Sequence, residues 1–289
     1  MAADDDWEDL GFRRSHFCID DPPDDFVFQF RGSEEGWKLG PILKERVLHG
    51  DEYEGVQISE ASGVCIATQI MGPKKGTKAI AKIRQQIPPD MDDPSELRRN
   101  VDYSVYKSTA PSIWAAREFD LLGFLTEKGS KCTPRYLGHR TLFQNADDHV
   151  PGGYFVVTLM EKLPGTNLWD WPDFDLEMRN RVRIAFGKAI REFYSYGLDH
   201  HDPRRNNLIW DEKSDRCWII DLEDGDKIDP PRKFVPRRDW LAWGIIAASD
   251  FQGPIDPMTP DDYDECPDDE TLYALATRTK TRQFSEKLW

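Results

Sequence analysis

Asp199-His200-His201-Asp202-Pro203-Arg204-Arg205-Asn206-Asn207-Leu208 is the stretch that decides the reading of this chain. Upstream of it, Met178, Val182, Ala185, Phe186, Ala189, Ile190 and Phe193 fall on one face of a helix, and Gly197 stands where a C-terminal cap belongs. Downstream, Asn207 to Trp210 and Cys217 to Ile220 read as two short strands, with Asp211 to Asp215 as the turn of a hairpin. Asp221 follows the second strand, nineteen positions after Asp202. A helix, a turn and a hairpin in this order deliver Asp202, Asn207 and Asp221 to one place. Asp and Asn also favour tight turns through local hydrogen bonds. The same three groups, however, are what phosphoryl transfer to a hydroxyl needs. A carboxylate orients the acceptor and takes its proton, and further oxygens ligate magnesium.

The first half reads as strands around one helix. Glu54-Gly55-Val56-Gln57-Ile58, Gly63-Val64-Cys65-Ile66-Ala67 and Lys78-Ala79-Ile80-Ala81-Lys82-Ile83 carry strand signals, and Gly72-Pro73-Lys74-Lys75-Gly76 is a turn. Ser112 to Glu127 predicts a helix capped by Ser112 and closed by Gly129, with Ile113, Ala116, Phe119, Leu122 and Phe124 or Leu125 on its apolar face. Tyr154 to Met160 is an apolar run of strand length, broken by Leu163-Pro164-Gly165. Phe26, Phe28 and Phe30 alternate like a short strand at the end of an acidic tail over residues 1–35. Further on, a helix is expected from Asp239 to about Ser249, a Pro- and Asp-rich loop over 250–270, and a last helix over Glu270 to Thr277.

His200-x-Asp202-x-x-x-x-Asn207 with Ile219-Ile220-Asp221 resembles the catalytic loop and metal-binding strand of the protein-kinase-like superfamily. The resemblance covers roughly Gly50 to Ala248 and is closest in flavour to compact fungal kinase-like proteins. It implies an α+β bilobal fold. A small lobe over 36–163 would hold an antiparallel sheet and one helix, and a mainly helical lobe over 164–289 would carry the catalytic loop. It implies ATP and magnesium, Asp202 as base, Asn207 and Asp221 as metal ligands, and Arg204 facing the transferred phosphate. Ala79-Ile80-Ala81-Lys82 resembles the strand whose lysine contacts the α- and β-phosphates, with Glu118 as its ion-pair partner. Met160-Glu161-Lys162-Leu163-Pro164-Gly165 resembles the hinge, Met160 beside the adenine and the backbone of Glu161 and Lys162 bonded to it.

Three departures shape the expectation. The Gly-rich loop, placed at Ser59 to Val64, keeps only Gly63 of three glycines. Asp221-Leu222-Glu223 replaces D-F-G, and a carboxylate at Glu223 is familiar as a further metal ligand in choline-kinase-like and aminoglycoside-phosphotransferase-like enzymes. Asp239-Trp240-Leu241-Ala242-Trp243-Gly244 resembles the start of the helix that anchors the catalytic loop, yet only seventeen residues separate Asp239 from Asp221. A regulated protein kinase needs a longer segment there. The leading expectation is therefore an ATP-dependent phosphotransferase acting on a small-molecule hydroxyl. The alternatives are an atypical protein kinase and a nucleotide-binding pseudokinase scaffold.

Composition narrows the partners. A formal net charge of −15 over 289 residues disfavours nucleic acid and anionic membrane. No run of eighteen apolar residues and no basic-then-apolar leader is present, which reads as a cytoplasmic or nuclear protein. Cys18, Cys65, Cys132, Cys217 and Cys266 are scattered, as free thiols in a reducing compartment are. Trp169, Trp171 and Trp240 are candidates for a pocket or, more simply, for core.

Overall fold

The computed structural model describes residues 19, 26–53, 56–89, 101–169 and 174–246. Two compact units divide the chain. One takes Met1–Phe119 and Tyr136–Lys162, the other Asp120–Arg135 and Leu163–Trp289. Residues 120–135, expected with the first lobe, thus group with the second unit.

The first unit is a six-stranded antiparallel sheet. Its strands are β1 (Val27–Gln29), β2 (Gly36–Tyr53), β3 (Val56–Met71), β4 (Lys78–Ile87), β5 (Tyr136–Phe143) and β6 (Tyr154–Glu161), in the order β1-β2-β3-β4-β6-β5. Helix α1 (Ile113–Glu127) separates β4 from β5 in the chain. Side chains alternate across a sheet with period two. On β3, β4 and β6 the odd positions Ala61, Cys65, Ala67, Ala79, Ala81, Ile83, Val157 and Leu159 build an apolar core with Phe28, Trp37 and Leu39. Phe26 and Phe30 pack against it, so the alternating phenylalanines do act together. A fully buried Phe or Leu stabilises by about 1.5–3 kcal/mol. The even positions form a second buried face of different character, carrying Glu60, Ser62, Lys82, Arg84, Gln86 and Thr158.

Two strands are much longer than the sequence suggests. Residues 56–71 form one strand, so Ser59 to Val64 is not a loop. Gly63 is paired on both sides, to Glu45 and to Ile83. The polar and small residues of that segment look turn-like only until their buried partners are known. Helix α1 is also rolled relative to its expected apolar face. Ala115, Glu118, Leu121, Leu122 and Leu125 are buried, while Ile113 is 63% exposed. Its cap is as expected, with the Ala115 amide donating to Ser112 Oγ at 3.1 Å.

In the second unit, β7 (Thr166–Asn167) precedes α2 (Leu176–Ser195), followed by β8 (Leu198–His200), β9 (Leu208–Asp211), β10 (Arg216–Ile219), β11 (Gly225–Lys227) and α3 (Pro236–Ala242). Among the described residues this unit mixes helices with short strands. The apolar stripe of α2 is buried through Val182, Ala185, Phe186, Ala189, Ile190 and Phe193. Gly197 ends that run at φ +69°, a left-handed turn that favours glycine. Gly165 is needed for space as well as conformation, since a Cβ there would meet the Trp210 carbonyl oxygen at 2.4 Å. Helix α3 starts three residues before Asp239, with Pro236 in its first turn, and ends at Ala242 rather than near Ser249. Most of the acidic tail, the start of the first strand signal at Glu54-Gly55, Trp171, the loop over 250–270 and the last expected helix lie outside the described residues. Cys65, Cys132 and Cys217 are buried thiols outside any disulfide, and Trp240 is core. Among the described residues no helix is long and apolar enough to cross a membrane.

Candidate active site

The segment from His201 to Arg204 is held at both ends by strand pairs. β8 pairs antiparallel with β11, His200 opposite Gly225, and β9 pairs with β10, Leu208 opposite Ile219. A single turn of 3-10 helix over Arg205–Asn207 joins the segment to β9. Asn206 is fixed from the side, because Asn167 Nδ2 donates to its carbonyl at 2.6 Å. The loop therefore has little freedom, as a site that must position a reacting group requires.

Asp202 and Asn207 face each other across this loop. Asn207 Nδ2 donates to the Asp202 carbonyl at 3.0 Å and to its Oδ2 at 3.1 Å. The Arg204 guanidinium also pairs with Asp202 Oδ2. Among the described residues Oδ1 has no hydrogen-bond partner. Asn207 itself is buried, and its side-chain NH2 is spent on Asp202.

His200 ties the loop to the strand that leads to Asp221. Its Nδ1 accepts from the Asp202 amide at 3.3 Å, and its Nε2 donates to the Ile220 carbonyl at 3.2 Å. That pattern requires the neutral ring with the proton on Nε2. Burial holds the His200 pKa below its ordinary value, outweighing the Ile220 bond and the neighbouring carboxylates Asp221, Asp202 and Asp224. The ring also meets Trp243 edge to face at 5.1 Å. From the other side, Arg232 donates to both oxygens of Asp199, at 2.7 and 2.8 Å, and to Asp239 at 3.3 Å. Asp239 is fully buried and also accepts from the Val235 amide at 2.7 Å and from Arg238. The segment around α3 thus braces the loop through Trp243 on His200 and Arg232 on Asp199. Arg232 gave no signal in the sequence beyond being one arginine in a basic stretch.

Asp221 adopts a left-handed backbone, φ 64° and ψ 58°, which Asp tolerates better than most residues. Leu222–Asp224 form a 3-10 turn in which Glu223 is buried. Asp224 has its pKa raised, mainly by burial and then by Glu223, Asp202 and Asp221. Among the described residues no group of three or more His, Cys, Asp or Glu side chains forms a cage able to hold a metal unaided. The residues nonetheless suit magnesium, which is usually held by one or two carboxylates together with substrate phosphates. Asn207 Oδ1 and the Asp221 carboxylate are oxygen donors of the right kind, and the acidic crowding felt by Asp224 favours a cation.

In the first unit, Lys82 on β4 and Glu118 on α1 are both buried and joined at 3.0 Å. Gly63 sits opposite Ile83 on β3, and by parity on the other face of the sheet from Lys82. A Cβ there would press on Ile19 Cδ1 at 3.0 Å and Ile42 Cγ2 at 3.3 Å, so this glycine makes room for core side chains. Ser59 to Val64 is therefore strand and not the phosphate-cradling loop expected there. Met160 is buried near the end of β6, opposite Ile80 and Tyr136, and Glu161 is exposed. Lys162 is the last residue of this unit. Arg84 and Glu60 were not singled out in the sequence. Arg84 lies two residues beyond Lys82 and pairs with both Glu60 and Glu118.

No curated protein matches the chain. The model of the lipopolysaccharide kinase (Kdo/WaaP) family matches residues 97–239. That span begins ahead of α1 and ends on Asp239, so it takes in Glu118, Asp202, Asn207 and Asp221, while Lys82 precedes it. The described fold, mixed α/β with a large antiparallel sheet and few helices, agrees with that match. Over that stretch, just under half of its length, the chain is similar to a kinase family of the protein-kinase-like superfamily.

Proposed function

We propose that this protein moves the γ-phosphate of ATP to a hydroxyl of a small molecule, and that the acceptor hydroxyl belongs to a sugar. The observation that carries the reading is the Asp202 carboxylate, fixed through Oδ2 by Asn207 and Arg204 with Oδ1 left to accept. Asp202 Oδ1 takes the proton of the acceptor hydroxyl as that oxygen bonds to the γ-phosphorus, while the bond from the γ-phosphorus to its bridging oxygen breaks and ADP leaves. Arg204 supplies positive charge for the transferred phosphate. Asn207 and Asp221, with Glu223 as a further carboxylate, would hold magnesium, which would supply positive charge to the phosphate oxygens when bound. Lys82, held by Glu118, contacts the α- and β-phosphates. On its face of the sheet the half-exposed Val64, Ile66 and Ile80 make an apolar surface suited to a base, with Met160 beside them and the backbone of Glu161 and Lys162 to hydrogen-bond it.

Support for a sugar acceptor comes from the matched family, whose name is that of a lipopolysaccharide kinase. The seventeen residues between Asp221 and Asp239 favour a small acceptor over a peptide, which needs a longer platform. The test is labelled ATP with magnesium and three separate acceptor sources: sugars and oligosaccharides, a metabolite extract, and a protein extract. Label in a sugar phosphate is the expected result. Label confined to protein would overturn the small-molecule assignment, and label in none of the three would overturn transfer itself.

A further inference from the structure

Behind the Lys82–Glu118 pair lies a buried chain of charges. On β4, Lys82 and Arg84 are two residues apart and so share a face of the sheet. Both reach Glu118 of α1, and they take different oxygens. Lys82 Nζ is 3.0 Å from Oε1 and Arg84 Nη2 is 3.6 Å from Oε2. Arg84 is held in turn by Glu60 of β3, which pairs with it through Nη1. Glu60 lies opposite Gln86, one diagonal step from Arg84, within reach of a long side chain. The other oxygen of Glu60 accepts from the Tyr154 hydroxyl at 2.9 Å. Burial, and next the Glu60 charge, hold that hydroxyl well above its ordinary pKa, so it stays a donor. Two cations and two anions balance, and all four are nearly inaccessible to water.

We infer that Arg84, anchored by Glu60 and Tyr154, is a positioning residue for Lys82: it takes the second oxygen of Glu118 and so fixes the carboxylate that aims the lysine. The inference rests on the proposed contact of Lys82 with nucleotide phosphates. A carboxylate can rotate about its terminal torsion, so its bond to Lys82 does not by itself fix both of its oxygens. With Oε2 held by Arg84, Oε1 stays on Lys82 in one orientation. The charge balance matters too. Arg84 shares the Glu118 charge, so Lys82 keeps more of its own field for a phosphate. The strand segment that resembled a phosphate loop thus serves the nucleotide indirectly, by carrying Glu60.

Removing Arg84 alone leaves Glu60 and part of Glu118 buried without a counter-charge, which can unfold a domain. The test therefore changes both partners. Dissociation constants for magnesium-ATP are measured by calorimetry on the full chain for wild type, Lys82→Met, Arg84→Gln/Glu60→Gln, the triple variant and Arg84→Lys. Residues in one network couple measurably. The expected result is about a tenfold loss of affinity for the Arg84/Glu60 pair. In the Lys82→Met background the same pair should add little, and Arg84→Lys should recover part of the loss. Equal losses in both backgrounds would show a merely structural role and overturn the inference, as would no loss in either. If Lys82→Met itself binds like wild type, the Lys82 role fails first, and the inference with it. Losses with Lys82→Met but none with the pair would sink the inference alone.

Discussion

Asn207 holds Asp202 twice, with one side-chain amide group on its carbonyl and on its Oδ2, at 3.0 and 3.1 Å. The two residues are five apart, and the 3-10 turn over Arg205–Asn207 brings them face to face. One residue thereby orients a carboxylate, and its own oxygen is the one proposed to ligate a cation.

Asp202→Asn tests the first half of that arrangement. Asn keeps the size and the backbone of the turn but cannot take a proton. General-base help is worth about a hundredfold to ten-thousandfold in rate, so kcat should fall within that range. Magnesium-ATP affinity should change little, because Asp202 is assigned to the acceptor. Steady-state kinetics with the best acceptor, alongside calorimetry, separate the two quantities. Turnover like wild type would remove Asp202 from the mechanism.

Asp221 is best probed by Asn rather than Ala, because φ 64° is a conformation that Asn accepts and Ala resists. Asp221→Asn retains the fold and loses the negative charge on the proposed ligand. A ligand at a hundred times its dissociation constant stabilises by about 2.7 kcal/mol. Wild type should therefore gain melting temperature with magnesium and ATP together, and the variant should gain much less. An equal shift in both proteins, or a wild-type shift that does not need magnesium, contradicts the assignment.

The parts that were legible in the sequence have local causes. Helix α2, its glycine stop and the β9–β10 hairpin follow from spacing and turn residues within a few positions of one another. Long-range partners set the rest. Glu60 looked like part of a loop because its buried partner Arg84 lies 24 residues away. Glu118 turned α1 away from its expected apolar face because a carboxylate that meets Lys82 and Arg84 belongs inside. Asp239 looked like a helix start, whereas its side chain collects Arg232, Arg238 and the Val235 amide within a helix already begun at Pro236.

The neutral His200 predicts a dependence of stability on pH. Its folded pKa is depressed below the ordinary value near 6.5, mainly by burial. As pH falls through about 6.5 the unfolded chain binds a proton that the folded chain refuses, so stability is lost. The slope is at most about 1.4 kcal/mol per pH unit for one such group, and it levels off below the folded pKa. Asp224 acts in the opposite sense at lower pH. Its folded pKa is raised, so its ionisation costs stability as pH rises through that value. Urea unfolding of wild type and His200→Gln between pH 5 and about 7.5 should show a shallower slope in the variant. Parallel slopes would mean that His200 titrates alike in both states.

Gly63→Ala separates packing from phosphate binding. If this glycine cradled phosphate, an added methyl would crowd the nucleotide and weaken magnesium-ATP binding. It instead lies within β3, paired to Glu45 and Ile83, on the sheet face opposite Lys82. The new methyl would contact Ile19 Cδ1 at 3.0 Å and Ile42 Cγ2 at 3.3 Å. The first of these is the tip of a flexible side chain and can yield, while the second belongs to the core around β2. Overfilling a packed core costs about 1–3 kcal/mol, and relief at Ile19 puts the expectation at the lower end. Alanine also reduces the freedom of the unfolded chain, which offsets part of that cost. The expected outcome is a small loss in urea midpoint with an unchanged affinity for magnesium-ATP. A large loss of affinity in a protein of undiminished stability would return Gly63 to the nucleotide.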